Sequence, residues 1–451
     1  MLTVKSPVFA GKFYPSDKIE LENTLKKLFD NTKKDYEITT RAIIVPHAAY
    51  QYSGQAAANA FQYLNPSVKN VFIIAPAHYS NFSGIALSSY DYWSTPLGNI
   101  KLNREIIDEL TKYEKINIMD EAFSQEHAIE VELPLLQTKL PDAQIIPLLF
   151  ENFSYEKIAD IISQYWDNQE NGFIISTDLS HFYSQKDAEK IDLYTANMIE
   201  TMDISSFHPA QACGSNGLLG LVQFTKDKNF ALIRVELTTS GEIGGSDASV
   251  VGYGSWIMAE ENKSQFLKNH FSKLIIDICK ESIHSGILTG NSLDTDSKDY
   301  PQVLYELGAS FVTITLNGNL RGCMGSIYAS KPLLNDLAQN AYKSAFADSR
   351  FSALTEQEFD KIKIAVSLLS EPRELTFSSE EELLSLLQPN IDGLIITDKG
   401  YSAVYLPSVW EQLPDKKDFL NSLKEKAGLK AEHFSPTFKA YKFNAEYIKE
   451  D

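Results

Sequence analysis

The sequence predicts an α/β protein in two parts: a layered domain on a mainly parallel central sheet, then a smaller α+β domain. Three observations predict it. Near-continuous apolar runs recur in the first half (AIIVP, VFIIAPA, FIIS), and such runs suit strands covered on both faces, as in parallel sheets. These runs alternate with stretches of helical periodicity, the pattern of strand–helix–strand units. In the second half, apolar runs instead flank Asn317-Gly318, which marks an antiparallel hairpin because a type I′ turn needs positive φ at both central residues.

Along the first half, NTLKKLFD, AAANAFQYL, REIIDELTKY, YEKIADIISQYW and LLGLVQF read as helices between the strands. A chain of 451 residues exceeds what one hydrophobic core supports. The break falls near residue 260, where ASVVGYGSWIMA closes a strand and EENKSQ turns polar. QFLKNHFSKLIIDICKESI then opens a new helix, so the domains are expected at 1–260 and 262–451. GILTGNSLDTDSKDYPQ, around 286–302, reads as an exposed loop. ASFVTITL, LRGCMGSI, IKIAVSLLS and DGLIITDKGYSAVYLP read as strands, with PLLNDLAQNAYKSAFAD and KDFLNSLKEKAGL as helices.

Composition narrows the function classes. Hydrophobic residues at 43% with charged residues at 22% fit a globular protein. Residues 1–260 hold 20 Lys/Arg against 33 Asp/Glu, and residues 261–451 hold 21 against 27. Neither half carries the basic field that nucleic-acid binding draws on. No apolar run reaches 18 residues, so no membrane-spanning helix is expected. The first residues, MLTVKSPVFAGKFYP, lack the apolar core of a secretion signal. Cys213, Cys279 and Cys323, odd in number and widely spaced, suit a reducing cytoplasm.

Three of the strand runs end in turns that carry histidine: His47, His78 and His181. Parallel strands bring their carboxyl ends to one crevice, where ligands bind. Val45-Pro46-His47 and Ala75-Pro76-Ala77-His78 place two imidazoles at that edge, and neutral imidazole suits Fe, Cu and Zn. Cys213, just before the LLGLVQF helix, is the third donor if the helix terminus favours its thiolate, or else an inert buried thiol. Asp178, three residues before His181, either orients that imidazole for acid–base work or caps the next helix. His127 sits among carboxylates in EHAIEVE, whose plain reading is a solvated acidic helix face.

PHAAYQYSG, APAHYS, EHAIEVELPLLQ, STDLSHF and ACGSNG, in that order, resemble the Memo family, which is itself similar to the catalytic subunit of class III extradiol dioxygenases. The resemblance implies that fold, and one bound metal ion on His47, His78 and Cys213, iron foremost with copper or zinc as alternatives. It places Asp178, His181 and His127 in the same pocket as catalytic residues. Ala49 departs from the family, which has glycine there. A metal-dependent redox enzyme acting on a small molecule, such as a phenolic one, follows as the expectation. Tyr50, Tyr52 and Tyr79 would supply ring surfaces for such a substrate.

LRGCMG at 320–325, Ala347-Asp348-Ser349-Arg350-Phe351 and GYSAVYLPSVWEQ resemble the AMMECR-type domain. Together the two resemblances match a fusion of two AmmeMemoRadiSam system proteins, and imply a radical SAM protein as partner. An accessory metal- or peptide-binding role beside that enzyme is the rival reading, and RNA recognition by the second domain a weaker one. Arg321, Cys323, Asp348 and Arg350 mark a second site if the thiol is activated, or a tight strand-end turn if it only packs.

Overall fold

The computed structural model describes residues 2–244 and 247–450. The chain divides into two compact units, Met1–Asn262 and Lys263–Asp451.

In the first unit, the apolar runs form the middle of one mixed sheet. Its strands are β1 (Ala42–Val45), β2 (Asn70–Pro76), β3 (Gly84–Leu87), β4 (Ile116–Ile118), β5 (Gln144–Glu151), β6 (Asn171–Ser176), β7 (His181–Tyr183), β8 (Ala231–Thr239) and β9 (Val250–Ala259). They lie in the order β7-β9-β1-β6-β2-β5-β3-β4, with β8 also paired to β9. Strands β1, β6, β2 and β5 are mutually parallel. The flanks are antiparallel, β9 against β1 and β3 against β5. Parallel pairing therefore holds across the four central strands and returns only at the edge, where β3 and β4 pair in parallel. Every residue of β1 and β6 is buried, which explains why their sequences run apolar without alternation.

Parallel neighbours require crossovers, and helices provide them. Helix α1 (Lys18–Asp30) precedes the sheet, α2 (Tyr50–Phe61) links β1 to β2, and α3 (Tyr155–Trp166) links β5 to β6. Helices α4 (Gln185–Thr201) and α5 (Ser215–Lys228) follow. Asp17 caps α1 by accepting from the Glu20 amide, and Ser184 caps α4 through Asp187. The small face of α2, Ala56 to Ala58 and Ala60, is buried and lets the helix lie close to the sheet. Gly220 of α5 does the same against α3, where an added Cβ would stand 2.6 Å from Ile158 Cγ2.

The second unit is α+β. Strands β10 (Ala309–Leu316), β11 (Asn319–Gly325), β12 (Ile362–Leu369) and β17 (Ala445–Lys449) form one sheet, ordered β11-β10-β12-β17. Strands β13 (Arg373–Glu374), β14 (Gly393–Asp398), β15 (Tyr401–Tyr405) and β16 (Lys439–Phe443) form another, ordered β13-β16-β14-β15. Helices α6 (Lys263–Thr289), α7 (Leu333–Phe346) and α8 (Lys416–Lys426) are its longest helices. Asn317 (φ 52°) and Gly318 (φ 80°) make the hairpin turn the sequence predicts.

The loop expected from residue 286 starts later, because α6 runs on to Thr289. Gly286 extends the helix rather than ending it: Phe346 Cε2 and Tyr342 Cδ2 of α7 occupy the space its Cβ would take. The turns Thr295–Ser297 and Gln302–Leu304 then order part of the segment that follows.

Glycine in the LRGCMG run is likewise a packing device. A Cβ on Gly322 would lie 1.9 Å from the Ser344 carbonyl oxygen of α7. Gly322→Ala is expected to destabilise the protein by roughly 1–3 kcal/mol, the usual cost of overpacking. Urea unfolding, followed on the transition that includes this unit, checks it.

Candidate metal centre

Strands β1 and β2 both flank β6 in parallel, so the three carboxyl ends share one edge of the sheet. His47 follows β1 by two residues, His78 follows β2 by two, and Asp178 follows β6 by two. Asp178 Oδ1 accepts the His47 backbone N–H at 2.9 Å, fastening one strand end to the other. His127 arrives differently, from the loop before the short helix Glu130–Glu132.

There the rings converge. Nitrogens of His47, His78 and His127 lie within 4.8 Å of one another. The His47 ring stands 5.2 Å from each of the other two, nearly perpendicular, while His78 and His127 stack at 4.7 Å. Cys213 Sγ lies 3.3 Å from His47 Nε2. His47 is buried, whereas the His78 side chain keeps 26% exposure, so the cluster opens to solvent on the His78 side.

The outward nitrogens are held by protein groups. Glu126 Oε1 accepts from His78 Nδ1 at 3.0 Å and lies 3.2 Å from His127 Nδ1. Its carboxylate also accepts the backbone N–H groups of His78, His127 and Ala128. Burial alone would raise its pKa. The close His127 ring, the His78 hydrogen bond and the Ala128 amide outweigh that and hold it well below the usual carboxylate range. His47 Nδ1 instead meets Ser176 Oγ at 2.8 Å. Complete burial, reinforced by the neighbouring imidazoles, pushes the His47 pKa well down and favours the neutral ring. Burial also pulls His78 down, but hydrogen bonds with Cys213 and Glu126 win and raise it to about 10.

Cys213 sits just before α5, whose N-cap is Gly214. A Cβ on Gly214 would fall 2.7 Å from Thr177 Cβ and 2.9 Å from the Ser176 carbonyl oxygen. Glycine is what lets the thiol approach the β6 end, where Sγ accepts the Asp178 amide at 3.2 Å. Ala49, in place of the family's glycine, has φ −61° and caps α2 without strain.

His181 is oriented by the Leu179 carbonyl, which accepts from Nδ1 at 2.8 Å, rather than by Asp178, whose Oδ1 serves His47. That contact fixes the proton on Nδ1 and leaves Nε2 as the basic nitrogen of the neutral ring. Asp178 is buried, and burial raises its pKa despite the nearby His181 and the His47 amide.

The tyrosines separate. Tyr79 is 59% exposed, with its ring 6.2 Å from His78 and 6.0 Å from His127. Tyr50 is buried and spends its hydroxyl on the Val131 carbonyl, packing on Tyr14. Tyr52 and Tyr50 border a groove of about 720 Å³ shared with Lys12, Phe13 and Gln55.

Sequence reasoning missed Glu126 and Ser176, and it misjudged EHAIEVE. Glu126, Glu130 and Glu132 are all buried, not a solvated face. Glu130 accepts from the amides of Val8 and Phe9 and from Tyr14 Oη. Phe9 and Phe13 thereby pack against His127, at 5.5 and 4.8 Å between ring centres. A carboxylate immediately before a histidine was the one local signal; partners 44 to 129 residues away left none.

In the second unit, Asp348 Oδ2 accepts the Cys323 amide at 2.9 Å and pairs bidentately with Arg350. Arg321 turns instead to Glu358 in a second bidentate pair. Both guanidinium groups flank the Phe351 ring. Cys323 Sγ lies 3.3 Å from Thr313 Oγ1, its cross-strand partner. Arg321 and Arg350 thus each have a carboxylate partner, and the thiol rests on the sheet between them.

The raised His78 pKa fixes a pH dependence for metal-free protein. Protonated His78 stabilises the fold fully below its unfolded value near 6.5, and that contribution is lost as pH climbs toward about 10. Urea midpoints should therefore fall across this window. Glu126→Gln, which removes the anionic partner, should flatten the fall.

A family model described as Memo-like protein matches residues 5–257, and a model described as AMMECR1 matches residues 276–448. A MEMO1 family protein of Methanobrevibacter smithii is 32% identical over 286 residues, covering 56% of this chain and 99% of that protein. One from Methanococcoides burtonii is 32% identical over 272 residues, covering 56% of this chain and all of its own length. A solved structure of an uncharacterized protein from Pyrococcus horikoshii is 29% identical, covers 40% of this chain and 91% of its own, and has a TM-score of 0.38. No helix among the described residues is long and apolar enough to cross a membrane. With its first unit matched almost from end to end, the chain belongs to the Memo family and carries an AMMECR1 domain behind it.

Proposed function

We propose that the first unit is a metal-dependent oxidoreductase acting on a small phenolic molecule. The observation that supports this most is the convergence of His47, His78 and His127, with Cys213 Sγ against His47 Nε2. The residues fit a metal: His78 and His47 are each anchored through Nδ1, leaving Nε2 for coordination. His47, His78 and His127 would hold the ion, with Cys213 as a sulfur donor in the same cluster. That mixed set favours iron, with Cu(I) or zinc as alternatives. Bound there, the metal would supply redox and Lewis-acid chemistry.

The chain's own residues do the rest. His181 Nε2 is the acid–base group, and the buried Asp178 carboxyl stands by it. Tyr79, beside the exposed flank of His78, offers a face for an aromatic ring. The AMMECR1 domain in the same chain supports an AmmeMemoRadiSam role, with a radical SAM enzyme as partner.

Elemental analysis of anaerobically purified protein should find one metal ion per chain, retained by wild type and lost in His47→Ala. Wild type without metal, or a His47→Ala variant that binds as well, sinks the reading. In iron-loaded protein, oxygen uptake with catechols should fall about 10²–10⁴-fold in His181→Gln while metal content stays constant.

A further inference from the structure

Ser176, at the end of β6, resolves a question of proton placement behind the metal centre. Its Oγ lies 2.8 Å from three groups: the Ala128 carbonyl oxygen, Glu132 Oε1 and His47 Nδ1. A serine hydroxyl has one proton to give and two lone pairs to accept with. The Ala128 carbonyl can only accept, so it takes the serine proton. The other two contacts then need donors. His47 must carry its hydrogen on Nδ1, and Glu132 must carry its own. Any other assignment leaves two acceptors facing each other at 2.8 Å in a fully buried place, which a folded protein avoids.

Independent observations agree. Glu132 is completely buried, and its Oε2 has no hydrogen-bond partner among the described residues. A neutral acid tolerates that, and a carboxylate does not. Ser176, the Asp178 carboxyl and the Tyr50 hydroxyl act on it, and none of these three brings a positive charge. Burial, with Asp178 nearby, pushes the Glu132 carboxyl well above its ordinary range.

We propose that Glu132 is a positioning residue: a buried neutral carboxylic acid that donates to Ser176 and so locks His47 in the Nδ1–H tautomer. Nε2 is then bare, facing Cys213 and the metal. The metal part rests on the function proposed above; the proton assignment does not.

Two measurements on metal-free protein test the assignment. Infrared difference spectra between wild type and Glu132→Gln should show a protonated-carboxyl C=O band at neutral pH that the variant lacks. Long-range ¹H–¹⁵N NMR should find His47 as Nδ1–H in wild type and in Glu132→Gln, whose amide still donates, but shifted to Nε2–H in Ser176→Ala. Zn(II) affinity, by competition with a chromophoric chelator, should hold in Glu132→Gln and weaken about 10–100-fold in Ser176→Ala. No lost carboxyl band, an Nε2–H tautomer in wild type, or Glu132→Gln weakening Zn(II) as much as Ser176→Ala each overturns the proposal. Should Ser176→Ala not fold, the infrared band and the Glu132→Gln tautomer still decide. Wild type that fails to bind Zn(II) counts against the metal reading alone, since both spectra are taken without metal.

Discussion

Taking a carboxylate out of water costs several kcal/mol unless donors surround it. Glu126, 3% exposed, meets that demand with the amides of His78, His127 and Ala128 and with the His78 ring. The same contacts aim the His78 ring and fix the backbone from which the His127 ring projects. Both are thus set by the protein before any ligand arrives, which is the preorganisation that a precise site needs. Move this one anion and the His78 ring and the His127 backbone lose their common reference.

The neighbouring acids extend the principle. Glu130 gathers the amides of Val8 and Phe9 with the Tyr14 hydroxyl, so the chain's first residues wall one side of His127. Glu132 reaches the other side of the centre through Ser176. Within seven residues, from Glu126 to Glu132, three acids are buried around a half-buried imidazole, and each acid serves a different partner. The short helical turn at Glu130–Glu132 suits this, because it projects neighbouring side chains in separate directions.

The strands and their shared edge were legible in the sequence because burial on both faces leaves a one-dimensional trace. Runs such as AIIV and FIIS have no polar alternation to mistake. The hairpin at Asn317-Gly318 was legible because its turn chemistry is local. His47 and His78 were legible as neighbours because both follow such strands. Glu126 and Ser176 were not. Their worth lies in contacts across 48 and 129 residues, which no periodicity encodes. EHAIEVE misled for the same reason: acids normally face water, and only distant partners reveal that these do not. The end of α6 was hidden because Gly286 ordinarily interrupts a helix, and the Phe346 ring that excuses it comes from another element.

The position of β1 within the sheet carries a consequence for biosynthesis. Its two neighbours are β6, beginning at Asn171, and β9, ending at Ala259. His47 leaves the ribosome 166 residues ahead of Cys213, and its strand stays unpaired on one side until later still. Pairings this distant in sequence form slowly. The sheet around β1 is therefore completed only after every side chain of the cluster has been made.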